Sequence, residues 1–155
     1  LPYPKLALKG LNKIIPKDLN PENKERLTNN FDASITYSRQ IGNIYTGSLY
    51  LGLLSLLEQS QDLKAGDKIG FFSYGSGAVS EIFSGRLVEG YKDLLRSDRL
   101  DIFAKRQHLS VSDYEKLFYE EAQLDDTGST QFADYQTGAF RLAEISEHQR
   151  IYKGH

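Results

Sequence analysis

The sequence predicts an α/β chain with a mixed β-sheet, on three observations. Leu49, Leu53, Leu56 and Leu57 recur at helical spacing, with Tyr50 and Leu54 on the adjoining face, which describes a helix apolar nearly all round and therefore interior. Lys68-Ile69-Gly70-Phe71-Phe72-Ser73-Tyr74 reads as a buried strand, and Gly75-Ser76-Gly77 turns it into a returning strand over Ala78 to Leu87. Proline-marked helix starts come before both, and a second hairpin, Gly138 to Ile145 with Gln149 to Lys153, closes the chain. At 155 residues this is one domain by length, with no internal repeat, low-complexity tract or linker.

Each element has its own justification. Prolines hold Leu1-Pro2-Tyr3-Pro4 extended, and Pro4 suits the first turn of a helix from Lys5 to about Ile15. Leu8, Leu11 and Ile15 form its apolar stripe, while Lys5, Lys9 and Lys13 line another face at i, i+4 and i+8. That row of ammonium groups is either a cradle for a polyphosphate or, the commoner fate of such a stripe, a solvated face. Asn20-Pro21-Glu22 sets a capping residue before a first-turn proline and an acid, starting a helix that runs to about Asn30. Ser34-Ile35-Thr36-Tyr37 is short and β-leaning.

Gly42-Asn43 then turns the chain into the apolar helix. Burial of that helix would bring Asn43 and Thr46 to a buried or half-buried mouth, where unsatisfied N–H groups favour oxygens that gain negative charge. Asn43 keeps two readings: a polar group of a site, or a simple cap or turn after glycine. Asp62 to Asp67 is a polar turn. Val88 to Leu95 and Leu100 to Arg106 read as helices, and Ser112 and Glu115 stand in capping-box spacing before Leu117 and Phe118. Leu124 to Gln136 is a surface loop, and Glu147-His148 lies near the turn of the last hairpin.

Charge and composition exclude several classes. Lys plus Arg number 19 against 21 Asp plus Glu, so bulk charge does not call for a nucleic acid. The apolar run from Leu49 to Leu57 falls far short of the roughly 20 residues that span a bilayer, and no secretory or transit stretch opens the chain. The expectation is a soluble, cytoplasmic protein with no membrane or nucleic-acid partner. Cysteine is absent, which removes disulfides, thiolate metal sites and a cysteine nucleophile from these residues. Methionine is absent too, and a chain opening on Leu1 reads as a piece of something longer.

The chemistry within the chain is incomplete. His108, His148 and His155 are scattered, with no metal-ligand spacing. Phosphate-binding loops and dinucleotide fingerprints are missing, and Tyr74-Gly75-Ser76-Gly77-Ala78 lacks the spacing of a nucleophile elbow. Glu120-Glu121 and Asp125-Asp126 read as solvated pairs. The glycines beside Ser76 would let backbone approach a ligand, although such turns are usually only turns.

Gly42-Asn43-Ile44-Tyr45-Thr46-Gly47-Ser48-Leu49-Tyr50, with Ala65-Gly66-Asp67-Lys68-Ile69-Gly70-Phe71-Phe72-Ser73-Tyr74-Gly75-Ser76-Gly77 after it, resembles the C-terminal half of hydroxymethylglutaryl-CoA synthase of bacterial type. The similarity runs from Leu1 to Arg150-Ile151-Tyr152. Thiolases and ketoacyl-carrier-protein synthases share the Gly-Asn position but not Phe72-Ser73-Tyr74-Gly75-Ser76-Gly77 in this form. The resemblance implies a thiolase-like αβαβα layered fold of two similar halves, with residues 1–155 as the second.

It also implies an acyltransferase that condenses acetyl-CoA with acetoacetyl-CoA and water, giving hydroxymethylglutaryl-CoA and CoA in the mevalonate route. The implied enzyme is a homodimer and needs no metal or cofactor beyond its substrates. The family acetylates a cysteine and uses a glutamate as general acid/base, both in the N-terminal half. Its histidine stands immediately before a Xaa-Pro-Tyr/Phe-Xaa-Lys run, which here is Leu1-Pro2-Tyr3-Pro4-Lys5, so that histidine would precede Leu1. The chain alone is therefore expected to be inactive. By resemblance Lys5 and Lys9 contact CoA, with Lys13 a weaker extension; Asn43 hydrogen-bonds the acyl oxygen; Ser76 binds the acetoacetyl or product end. Two other readings are a polyketide β-branching synthase fed by carrier proteins and a non-catalytic acyl-CoA-binding fragment. The second is disfavoured, because half a layered fold leaves a broad apolar face uncovered.

Overall fold

Pro4 opens the first helix, α1 (Pro4–Ile14), in the computed structural model, which describes residues 4–75, 77, 79–120, 122–133 and 138–154. Leu1-Pro2-Tyr3, Ser76, Ala78, Glu121, residues 134–137 and His155 fall outside that description, and with them the predicted extended opening and the end of the predicted 124–136 loop. The chain divides into two compact units, Leu1–Ser97 and Asp98–His155. The junction Arg96-Ser97-Asp98-Arg99 is charged rather than rich in glycine or proline, so nothing in its composition announces a boundary.

In the first unit, α2 (Pro21–Ile41) starts as the sequence predicts: the Asn20 side chain accepts the Asn23 N–H at 2.8 Å, with Pro21 in the first turn. It does not stop near Asn30. Ser34 to Tyr37, β-leaning by propensity, are helical, because Ile35, Tyr37 and Ser38 are the residues α2 buries. Tertiary packing outweighs a preference of this size.

The partner is α3 (Gly47–Gln59). Its fully buried face is not the leucine face but Ser48 and Ser55, at 2% and 0% exposure, with Gly52 between them. A Cβ at Gly52 would lie 3.5 Å from the Ser34 carbonyl oxygen, so small residues are what bring the two backbones together. Ser55 Oγ donates to the Ala33 carbonyl at 2.5 Å and accepts the Tyr37 N–H at 3.2 Å, the two groups an i→i−4 helical bond would join. Tyr37, buried to 1% exposure, donates its hydroxyl to Glu58 at 2.6 Å and accepts from Gln59 at 3.2 Å. The leucines of α3 are only half-buried, where the sequence predicts an interior helix. Polar bonds and close backbones hold this pair; the apolar sides are left partly open.

β1 (Lys68–Gly75) and β2 (Val79–Arg86) form the predicted hairpin, in register from Lys68 with Arg86 to Gly75 with Val79. Phe71 and Phe83 stack across the strands at 4.8 Å. At the base Arg26 pairs with Asp67 at 2.8 Å, and Arg86 donates to the Gly66 carbonyl at 2.6 Å. The hairpin is not buried: β1 alternates between half-buried and exposed residues and every residue of β2 is exposed, because no third strand pairs with it among the described residues. Val88 to Leu95, read as a helix, shortens to one 3-10 turn at Tyr91–Leu94 after Gly90 in left-handed conformation, φ 78°.

The second unit holds α4 (Arg99–Ala104), α5 (Val111–Tyr119), β3 (Thr130–Gln131), β4 (Phe140–Ser146) and β5 (Gln149–Gly154). The cap of α5 is Ser110 rather than Ser112: its Oγ accepts the Asp113 N–H at 3.1 Å and donates to that carboxylate at 2.6 Å, using Asp113 where Glu115 was expected. The closing hairpin is as predicted, with Glu147 and His148 both left-handed, φ 47° and 66°, the pairing that suits a two-residue turn between twisted strands. A bulge between Leu142 and Glu144 sets Ala143 out of register, and Ala143 is buried. The Asp125 carboxylate accepts the Thr127 hydroxyl at 2.7 Å and the Thr127 and Ser129 N–H groups at 2.9 Å each. The Thr127 hydroxyl first, then the Ser129 amide, holds its pKa below the ordinary carboxylate value.

Helix and strand are mixed as the α/β reading requires, but among the described residues the strands form two antiparallel sheets, β1-β2 and β3-β4-β5, rather than one mixed sheet. Tight connections account for the antiparallel pairing of β1 with β2 and of β4 with β5, since a tight turn returns a strand antiparallel, whereas a parallel neighbour needs a crossover of a dozen residues or more.

Candidate functional site

The stretch between α2 and α3 carries the strongest site residue, Asn43. Gly42 ends α2 with φ 82°, its N–H bonded to the Ser38 carbonyl at 2.9 Å. Tyr45 is also left-handed, φ 53°, uncommon for a residue with a large side chain. Two side-chain bonds hold this elbow: Asn43 Oδ1 accepts the Tyr45 N–H at 2.7 Å, and Ser48 Oγ accepts the Ile44 N–H at 3.1 Å. The first turn of α3 is tied as well, by Gly47, Ser48 and Leu49 N–H to the carbonyls of Ile44, Tyr45 and Thr46 at 3.1, 3.0 and 3.4 Å.

These bonds correct two expectations. The free N–H groups predicted at the helix mouth are mostly used within the elbow. Asn43 and Thr46 are exposed, not buried, because the elbow lies at the surface of this chain. Asn43 is a turn former, as one reading held. That role fixes its chemistry: an N–H can bond only to Oδ1, so Nδ2 is left with two donor hydrogens and no partner among the described residues. The backbone N–H groups of Asn43 and Thr46 are likewise unpaired there. Three donor groups in this elbow are therefore without a partner among the described residues.

Lys5, Lys9 and Lys13 are exposed along α1, with no ion pair among the described residues. An apolar cleft of about 510 Å³ opens between α1, α2, α3 and the β1-β2 hairpin, lined by residues such as Leu11, Phe31, Leu53 and Phe71. Of the three lysines only Lys13 borders it; Lys5, Lys9 and Asn43 do not. Ser76 is outside the described residues, between the paired Gly75 and Val79 in sequence. The residue that sequence reading missed is Ser48. Its signal was present in the spacing of the small residues 48, 52 and 55 on one face of an otherwise leucine-rich helix.

Likeness to solved synthase structures places this chain, with its Gly-Asn elbow leading into an apolar helix, among proteins of thiolase-like layered fold. A family model described as the hydroxymethylglutaryl-coenzyme A synthase C terminal matches residues 5–154. The chain belongs to the hydroxymethylglutaryl-CoA synthase family. It is 47% identical over 126 residues to the hydroxymethylglutaryl-CoA synthase of Enterococcus faecalis, covering 81% of this chain and 33% of that protein. A crystal structure of HMG-CoA synthase complexed with CoA is 64% identical, with a TM-score of 0.84 over 99% of this chain and 40% of the other. The HMG synthase of the curacin biosynthetic pathway, in complex with apo donor-ACP, is 28% identical with a TM-score of 0.65, covering 89% of this chain and 37% of that one. The chain thus spans about a third to two-fifths of the length of these relatives.

Proposed function

We propose that this chain is the C-terminal part of a hydroxymethylglutaryl-CoA synthase, which joins acetyl-CoA, acetoacetyl-CoA and water to give hydroxymethylglutaryl-CoA and free CoA. The observation that carries this reading is the family match over residues 5–154, joined to 64% identity with a synthase complexed with CoA. In this reading the acetylated cysteine, the acid/base glutamate and the histidine come from outside residues 1–155, and the chain supplies groups that hold the substrates. Asn43 offers its Nδ2 hydrogens to the acyl oxygen on which negative charge develops. Donors fixed in advance at such a position are worth about 3 kcal/mol each in comparable sites. Lys5 and Lys9 meet the phosphates of CoA, and Ser76 the acetoacetyl end. No metal or further cofactor enters, since both substrates carry their own CoA. The complete protein is, in the same proposal, a cytoplasmic homodimer, which rests on the resemblance alone. No helix among the described residues is long and apolar enough to cross a membrane.

The carrier-protein reading has one observation in its favour, the similarity to an HMG synthase in complex with a donor carrier protein, but at 28% against 64% identity. Assay of the full-length protein separates them. Hydroxymethylglutaryl-CoA is expected from acetyl-CoA and acetoacetyl-CoA, with turnover falling at least tenfold in Asn43→Ala. Product only from a carrier-linked acetyl donor would replace the CoA reading with the polyketide one. Near-normal turnover of Asn43→Ala would remove Asn43 from the site.

A further inference from the structure

We propose that Ser48 is the positioning residue for Asn43, a reading that rests on the acyl-oxygen role of Asn43. The donors of Asn43 are useful only if its side chain and the peptide after it are fixed in advance. Side-chain fixing comes from the Tyr45 N–H on Oδ1 at 2.7 Å. The following peptide is fixed by Ser48: the Ile44 N–H that bonds to Ser48 Oγ at 3.1 Å belongs to the peptide unit whose carbonyl is that of Asn43. Ser48 itself cannot drift. It is 2% exposed on the face of α3 that packs closest to α2, and that face is pinned two turns on by Ser55 bridging Ala33 and Tyr37. Rigidity therefore runs from the α2-α3 contact through one hydroxyl to the plane of the Asn43 peptide.

The elbow needs such a holder. Tyr45 is in left-handed conformation without being glycine, and a residue in that state persists only where its surroundings over-determine it. Without the Ser48 hydroxyl, the Ile44 N–H loses its acceptor and the elbow is free to relax toward a commoner conformation, swinging Nδ2 away. Ser48 has no need to touch substrate for this.

The test is a double-substitution cycle in the full-length synthase, with Ser48→Ala, Asn43→Ala and the pair. Ser48→Ala is expected to lower kcat about fivefold or more with the KM for each CoA thioester within about twofold, the pattern of lost transition-state alignment. In the Asn43→Ala background it should cost nothing more, because residues acting as one unit are not additive. Faster hydrogen exchange at the Ile44 and Tyr45 amides of Ser48→Ala should accompany the loss. Should the alanine variant not fold, Ser48→Cys repeats the cycle with similar volume and a poorer acceptor. Unchanged turnover in Ser48→Ala beside a slow Asn43→Ala, or two losses that multiply, overturns the positioning role alone. A fully active Asn43→Ala overturns both readings, that of Asn43 first.

Discussion

Asn43 illustrates how a side chain can be both a turn former and a donor, since its oxygen and its nitrogen answer to different partners. Its place in the sequence was legible: a glycine before it and an apolar run after it require an elbow there. Its exposure was not legible, because burial of the elbow depends on what lies outside the chain. The lysines of α1 show the opposite balance. Spacing set all three on one exposed face, yet spacing is silent on whether a ligand meets it. Lys5→Ala combined with Lys9→Ala in the full-length protein should weaken CoA binding by about tenfold at low salt, and by less as salt is raised, because exposed charges are screened. Calorimetric titration at several ionic strengths reads this directly. An affinity that stays unchanged would return the stripe to a solvated face.

Among the elements, the α2-α3 pair departs most from what periodicity predicts. Counting leucines picks out the side of α3 with the most hydrocarbon, whereas close approach selects the side with the least side chain: Ser48, Gly52 and Ser55. The same contact made Ser34 to Tyr37 helical against their β preference. Hairpins were legible because turn chemistry is local, and Asn20 with Pro21 was legible for the same reason. At Gly52 the 3.5 Å gap to the Ser34 oxygen is ordinary contact for a methyl group. Gly52→Ala should therefore be neutral or stabilise by up to about 1 kcal/mol through helix propensity. Gly52→Leu, which must push the helices apart, should destabilise by about 1–3 kcal/mol. Urea midpoints of the two variants check both signs; a destabilised alanine variant would mean that the helices tolerate no atom between them.

At the scale of the whole molecule, the half-buried leucines of α3 and the exposed β2 strand explain why the α/β class was readable while a single mixed sheet was not. The strands that would complete such a sheet are not found among the described residues. Free in solution, the chain should bind a hydrophobic dye and self-associate, and without cysteine it should form no acyl-enzyme from acetyl-CoA. Dye fluorescence and intact mass after incubation with acetyl-CoA test the two halves of that statement; a silent dye or an added acetyl group would contradict it. The junction of the two units has a practical consequence of another kind. Ser97 and Asp98 are exposed and lie outside helix and strand, whereas Glu147 and His148 make a tight turn with two left-handed residues. A flexible glycine-serine insert between Ser97 and Asp98 should leave the melting temperature within a few degrees, and the same insert between Glu147 and His148 should lower it clearly. The chain can be lengthened, tagged or opened at its polar crossing, while the closing hairpin offers no such latitude.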